Sequence, residues 1–293
     1  MQTGQPSRTA FHAAAHRAAH QVVEGGRVFA DPLALRILGE APEPAFGGDL
    51  DKPATRGMRL FIAARSRFAE DSLAAAVARG VRQYVVLGAG LDTFAHRNPY
   101  ADEDLRVFEV DHPATQGWKR TRLANAGLAL PASLTFAPVD FERQTLAEGL
   151  AAAGFDTAAP ALFAWLGVIV YLTRAAVLET LGFIAGLPGG AEVVFDYGEP
   201  VSAYPPAAQP AQARRMARMA AMGEPWITRF TPVELDAELR RLGFEQVEDL
   251  GPAEIARRFH GVQRADGPGG HVVRAWTRAA EPGILAAPSH LEG

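Results

Sequence analysis

Two glycines and two carboxylates carry most of the chemistry legible in this chain. The apolar run Tyr84-Val85-Val86-Leu87 opens into Gly88-Ala89-Gly90, and about 20 residues later Val107-Phe108 leads to Glu109 and Asp111. A parallel strand that ends in glycines lets backbone approach a nucleotide-like ligand, and carboxylates ending the next strand accept from ribose hydroxyls. The pattern predicts an adenosine-containing cofactor. A dinucleotide fingerprint would place a third Gly or Ala three residues after Gly90, so that a helix N-terminus meets the pyrophosphate. That position holds Thr93, and the bulky Phe94 follows. The loop also lacks the Lys-Ser/Thr of a P-loop and has no adjoining basic cluster for phosphates. These features favour S-adenosylmethionine, which carries adenosine and a charged amino acid but no phosphate. Alone, the glycines read equally well as an ordinary strand-to-helix turn; the acidic strand end behind them decides for a ligand.

Residues so spaced must be held at the ends of parallel strands. Strands are predicted at 82–88, 106–111, 135–139, 161–170 and 191–197, with helices at 113–125, 145–153 and 174–185 between them. Several strands are continuous apolar runs, as expected where both faces are covered, and the alternation defines an α/β, doubly wound, mostly parallel sheet. Before it lie a helix-period stretch at 7–23, an Asp31-Pro32 helix start, a Gly/Pro/acid-rich loop at 39–55 and a long amphipathic helix at 57–79. After it, residues 199–230 hold a Pro-rich loop and a helix at 209–222. Thr231 and Glu234 then form a capping box for a helix that ends at Gly243. Runs at 244–250 and 272–277 supply two closing strands, for seven in all. The expected organisation is an N-terminal helical cap (1–80), a core (81–280) with a lid inserted at 199–230, and a loose tail (281–293).

Composition narrows the partners. With 293 residues, 48% of them hydrophobic, the chain can bury a large core. A formal charge of −4 with arginines spread along the chain offers nucleic acid no basic face, so a small-molecule partner is expected. The absence of cysteine excludes disulfides, thiolate catalysis and cysteine-ligated zinc, and is compatible with a cytoplasmic location. The longest apolar stretch, 158–172, is broken by Pro160 and too short to span a bilayer. The first 23 residues are basic, Ala-rich and free of acid, a composition shared by organellar transit peptides; an N-terminal helix of the mature protein is the preferred reading. His12, His16 and His20 recur every four residues on one helical face, a spacing that can bind zinc, although a surface stripe is favoured and no metal is expected.

Read in order, Ser7-Arg8-Thr9-Ala10, Asp31-Pro32-Leu33-Ala34, Ala64-Arg65-Ser66-Arg67-Phe68, Leu87-Gly88-Ala89-Gly90-Leu91-Asp92-Thr93, Phe108-Glu109-Val110-Asp111-His112-Pro113, Val139-Asp140-Phe141 and Tyr171-Leu172 form a recognisable series. The chain resembles the leucine carboxyl methyltransferase-like family of class I S-adenosylmethionine-dependent methyltransferases, whose bacterial branch is described as O-methyltransferases. The likeness covers roughly residues 7–277. It implies that Arg65 binds the carboxylate of the cofactor's methionine moiety, for which a guanidinium fork is well shaped. It implies further that Gly88 and Gly90 admit that moiety, that Asp111 accepts from the ribose with Glu109 sharing or exchanging the role, and that Asp140 and the backbone of Phe141 read the adenine. Read from local sequence alone, Arg65 and Arg67 form a solvated helix face paired with Glu70 or Asp71, and Asp140 caps the following helix.

One departure from the family stands out. Members often carry Glu at the end of the fourth strand, where this chain has Leu166 in Trp165-Leu166-Gly167. Trp165 is a candidate aromatic face for the sulfonium in its place. Tyr171 and Tyr197 lie at or near predicted strand ends, and Trp226 and Arg229 lie in or beside the inserted segment; all four are candidate acceptor contacts. The implied reaction is O-methylation of a small carboxylate or hydroxyl compound, and no residue must serve as a catalytic base. Two alternatives are an NAD(P)-dependent oxidoreductase, disfavoured by Thr93, Phe94 and a lysine complement of only Lys52 and Lys119, and a non-catalytic S-adenosylmethionine-binding protein. The sequence marks no oligomer interface.

Overall fold

The computed structural model describes residues 8–277 except 40, 47, 49, 51, 142 and 222. The expected tail at 281–293 lies outside these residues. Seven strands, β1 (Gln83–Leu87), β2 (Arg106–Asp111), β3 (Leu134–Pro138), β4 (Ala161–Trp165), β5 (Ala191–Gly198), β6 (Gln246–Leu250) and β7 (Gly270–Trp276), form one sheet of order β3-β2-β1-β4-β5-β7-β6. β1 pairs in parallel with β2 and β4, and β2 with β3, whereas β7 runs antiparallel to β5 and β6. The fold is the predicted doubly wound, mostly parallel one. The chain divides into two compact units at the Ala164/Trp165 boundary.

The first unit holds α1 (Arg8–Val23), α2 (Ala34–Leu38), α3 (Pro53–Ala78), β1, β2, α4 (Pro113–Asn125), β3, α5 (Leu146–Ala152) and most of β4. Every residue of β1 is buried, so the apolar run is dictated by cover on both faces. Leu73, Ala76 and Val77 of α3 pack with Tyr84, Val86, Val107 and Leu162, and Phe94 meets the Tyr84 ring edge-on at 4.9 Å between centroids. Full burial of each large side chain contributes about 1.5–3 kcal/mol. α3 begins at Pro53 rather than at 57, because proline is pre-set for the first helical turn and its missing N–H is no loss there. Small residues on α1, Ala14, Ala15 and Ala18, share a buried cluster with Ile37, Leu38, Leu91 and Leu123.

The close approach of α1 fixes Gly90. Its φ of 49° lies in the left-handed region, and a Cβ there would fall 2.8 Å from Cβ of Ala10. Gly90→Ala is therefore expected to lower stability by about 1–2 kcal/mol. Urea denaturation checks this, and an unchanged midpoint would refute it.

The second unit holds α6 (Arg174–Ala185), β5, α7 (Gln209–Ala221), α8 (Pro232–Leu242), β6, α9 (Pro252–His260) and β7. The capping box before α8 forms as the sequence predicts: Glu234 N–H donates to Thr231 Oγ1 at 3.3 Å, and Thr231 N–H to Glu234 Oε2 at 2.9 Å. Gly243 ends the helix in the left-handed conformation. Two expectations fail. β4 stops at Trp165 instead of running to 170, because Gly167 turns the backbone with φ of 73° and Ile169–Tyr171 winds into a 3-10 turn. α9 was not anticipated, although Pro252 at its first turn, Glu254 near its start, Arg257 and Arg258 near its end and Gly261 as its left-handed cap are all legible signals. The inserted segment contains α7 and then returns in extended form, with Ile227 N–H donating to the Val170 carbonyl at 2.7 Å and Phe230 N–H to that of Gly198 at 3.3 Å.

Candidate functional site

In the first unit, three loops follow the carboxyl ends of β1, β2 and β3, the edge where open α/β sheets bind ligands. The glycine loop is pinned to the end of β2. Gly88 and Ala89 donate to the Val110 carbonyl at 2.8 and 3.1 Å, and Gly90 N–H donates to Oδ2 of Asp111 at 2.7 Å. Oδ1 of Asp111 accepts from His112 N–H at 2.7 Å. Burial raises the Asp111 carboxyl above its ordinary range, opposed by these two N–H groups and by Lys119. Each oxygen of an ionised carboxylate can accept more than one hydrogen bond, so Asp111 retains capacity for two hydroxyl donors.

Val139 N–H donates to the Asp111 carbonyl at 3.0 Å, which ties the third loop to the second. Asp140 begins a tight turn, its carbonyl accepting from Arg143 and Gln144 at 2.8 and 2.9 Å. It does not cap the following helix; Thr145 does, with Glu148. The Phe141 ring beside it is 62% exposed. Arg65, on α3, is almost wholly buried with its guanidinium 5.9 Å from the centroid of the Phe61 ring, and so is not part of a solvated face.

Glu109 is placed differently from Asp111. It shares a strand face with Asp111 but is fully buried, and its Oε2 accepts from Lys119 Nζ of α4 at 2.5 Å. Burial raises this carboxyl, with Lys119 the main opposing influence.

Sequence reading missed the residues that hold the glycine loop from behind. Asp31 is fully buried and accepts from Thr93 Oγ1 at 2.8 Å and Arg17 Nε at 3.2 Å, while Arg17 also donates to the Leu91 carbonyl. Arg97 donates to Thr93 Oγ1 at 3.0 Å and to Glu70 at 2.7 Å. Asp31 thus does more than open a helix. No α-helix follows the glycines; Phe94–His96 is a 3-10 turn, so the loop aims no helix N-terminus at a pyrophosphate.

The histidine stripe is not a surface stripe. His20 is fully buried and locks the end of α1, its Nδ1 3.1 Å from Glu24 Oε2 and its Nε2 accepting from Val28 and Phe29 N–H groups at 3.3 Å. His16 is buried and pushed down to about 3 by burial, with His12, Arg65 and Arg59 adding to the effect. His12 alone is exposed. The alanines flanking the histidines set the reason, since they turn the same helical face into the core.

In the second unit, Trp165 is a core residue with 3% exposure, and Leu166 leads into a turn whose Gly167 N–H donates to Asp196 Oδ1 at 2.6 Å. Tyr171 lies in the 3-10 turn that follows. Tyr197, at the end of β5, is buried and donates to Asp249 Oδ2 at 2.7 Å while stacking on His271 with centroids 4.7 Å apart. His271 bridges two carboxylates, Nδ1 to Asp249 Oδ1 at 2.9 Å and Nε2 to Glu199 Oε1 at 3.1 Å. Arg229 donates from Nη1 to the Glu199 carbonyl at 2.7 Å, with its guanidinium 5.1 Å from the Trp226 ring centroid.

Burial lowers the His271 pKa, but Asp249 and Glu199 outweigh it and the net shift is upward. A folded value above the unfolded one means stability that is complete below pH 6.5 and lost as pH rises through the folded value. The stability difference between wild type and His271→Phe is therefore expected to shrink from pH 6 to pH 9 in chemical denaturation. A difference that grows with pH would show that the imidazole is held neutral.

The sheet order and the glycine loop define a class I S-adenosylmethionine-dependent methyltransferase fold. Within that class the chain belongs to the leucine carboxyl methyltransferase family, whose model matches residues 10–185. A relative from Bacillus subtilis (strain 168), named "Putative S-adenosyl-L-methionine-dependent methyltransferase YktD", is 37% identical over 201 residues, covering 67% of this chain and 64% of its own. A similarly named protein from Mycolicibacterium paratuberculosis is 39% identical over 125 residues, 43% of this chain and 38% of its own. The chain thus matches less than two thirds of the length of these curated relatives. Among solved structures, a possible exported protein from Bordetella parapertussis shares the fold at 16% identity, with a TM-score of 0.50 over 95% of this chain and 99% of that one.

Proposed function

We propose that this protein is an S-adenosylmethionine-dependent O-methyltransferase acting on a small-molecule carboxylate or hydroxyl compound. The observation that carries the reading is the donor and acceptor set of the first unit. Asp111, held by two backbone N–H groups, keeps acceptor capacity suited to a ribose diol; the two arginines that touch the glycine loop, Arg17 and Arg97, are paired with Asp31 and Glu70, and a 3-10 turn rather than an α-helix follows it. These residues fit a cofactor with adenosine and an amino-acid carboxylate but no phosphate. In this assignment Asp111 holds the ribose, Gly88 and Gly90 admit the methionine moiety, Arg65 binds its carboxylate, and Asp140 with Phe141 faces the adenine. Glu109 acts through Lys119 as a buried support of the same strand rather than as a second ribose ligand.

The bound cofactor would supply a sulfonium methyl group, transferred as an oxygen–carbon bond forms and the sulfur–carbon bond breaks with its electron pair returning to sulfur. The protein then needs to align the acceptor, exclude water and, for a hydroxyl, let its proton leave. Tyr171, Trp226 and Arg229 are assigned to acceptor contacts; Tyr197, 3% exposed and with its hydroxyl donated to Asp249, is a core residue rather than an acceptor contact.

Calorimetric titration with S-adenosylmethionine, S-adenosylhomocysteine and NADH, followed by transfer of labelled methyl groups to panels of carboxylic acids and phenols, tests the reading. Binding of the first two with turnover of an oxygen acceptor is expected. NADH binding in their place would overturn it.

A further inference from the structure

We propose that the segment inserted between β5 and α8 builds a subsite for an acceptor that carries a flat ring and an anionic group, and that this anion is the anchor rather than the methylated atom. The inference rests on the methyltransferase reading only for the ligand's role as acceptor. Its basis is a concentration of hydrogen-bond donors without matching acceptors.

The guanidinium of Arg215, on the exposed helix α7, lies 4.9 Å from the Trp226 ring centroid, and that of Arg229 lies 5.1 Å from the same ring. Two cations beside one indole repel each other unless an anion joins them. Neither arginine has a carboxylate partner among the described residues. The Nε of Arg229 and the Nε1 of Trp226 are both buried without a hydrogen-bond acceptor in the described residues. Buried N–H groups are normally paired, so two orphans in one cluster point to an acceptor that the described residues do not supply. Tyr204 adds a half-buried phenol that interacts electrostatically with both arginines.

The neighbouring carboxylate does not fill the role. Glu199 Oε1 is engaged by His271 Nε2 at 3.1 Å and by Gly269 N–H at 3.1 Å, and only its backbone carbonyl reaches Arg229. The donor-only inventory of two guanidiniums and an indole selects an anion, for which the guanidinium fork fits a carboxylate best. The aromatic faces and guanidinium planes select a flat conjugated ring. A carboxylate clamped by two guanidiniums has its lone pairs committed and is a poor nucleophile. The acceptor class is therefore an aromatic acid bearing a second, reactive oxygen.

The test uses 6-hydroxy-2-naphthoate as the probe, with 2-naphthol and cyclohexanecarboxylate as its neutral and non-aromatic counterparts, in ligand-observed NMR titrations of the full chain. Each sample is also titrated with S-adenosylhomocysteine. The hydroxynaphthoate is expected to bind at least about tenfold more tightly than either counterpart, and Arg215→Gln and Arg229→Gln are each expected to weaken it by about tenfold or more. Arg215 lies on an exposed helix, so its variant keeps the test valid if Arg229→Gln fails to fold. Absence of hydroxynaphthoate binding, or equal affinity in Arg215→Gln, overturns the subsite. Failure of S-adenosylhomocysteine to bind overturns the methyltransferase reading instead, whatever the probe does.

Discussion

Asp111→Ala is expected to weaken S-adenosylhomocysteine binding at least about a hundredfold, since in the proposed assignment it removes an anionic acceptor for two ribose hydroxyls, and each such bond contributes about 1.5–3 kcal/mol. The same change strips Gly90 N–H and His112 N–H of the oxygens they meet at 2.7 Å, so the glycine loop itself should loosen. Calorimetry well below the melting temperature, paired with a thermal scan, separates the two effects. A folded variant that binds with wild-type affinity would remove Asp111 from the site.

The second large effect concerns the buried pair beneath that site. Lys119 and Glu109 are each 1% exposed, with Nζ and Oε2 2.5 Å apart. Removing one partner of such a pair strands the other charge, so Lys119→Met should cost about 3–5 kcal/mol, whereas Lys119→Met with Glu109→Gln should recover most of it. The sign of the pH dependence follows from the Glu109 carboxyl, which burial already raises and which rises further without its cation. A raised carboxyl contributes stability that is complete below its unfolded value and lost as pH rises through its folded one. The variant's deficit against wild type should therefore be smaller at pH 5 than at pH 8 in urea denaturation. Equal deficits at both would show that Glu109 is not the stranded charge.

These two residues also show where sequence reading reached its limit. Glu109 and Asp111 lie two positions apart and so share a strand face, and periodicity alone could not assign them different tasks. The difference comes from α4, whose Lys119 donates a hydrogen bond to Glu109, while Asp111 accepts from the backbone of Gly90 and His112. The histidines of α1 make the same point. Their spacing predicted one face, correctly, but a period of four says only that three residues point the same way, and the packing partner decides whether that way is solvent or core. Here Arg59 of α3, bound to Glu24 at 2.6 Å, and the core around Ala14, Ala15 and Ala18 make it the interior for His16 and His20.

What the sequence determined by itself was local: the alternating strands and helices, the Thr231 cap, the glycine turn and the family to which the ordered motifs belong. These are legible because apolar period, capping hydroxyls and glycine each act within a few residues of chain. Where an element must yield to a contact far along the sequence, only the tertiary structure decided. β4 ends early because Gly167 turns its N–H onto Asp196, Asp31 becomes a brace for Thr93, and Trp226 is flanked by arginines from α7 and from the returning limb. The contacts of Gly167 with Asp196, of Asp31 with Thr93 and of Arg215 with Trp226 join residues 11 to 62 positions apart, and no local propensity carries information across that distance.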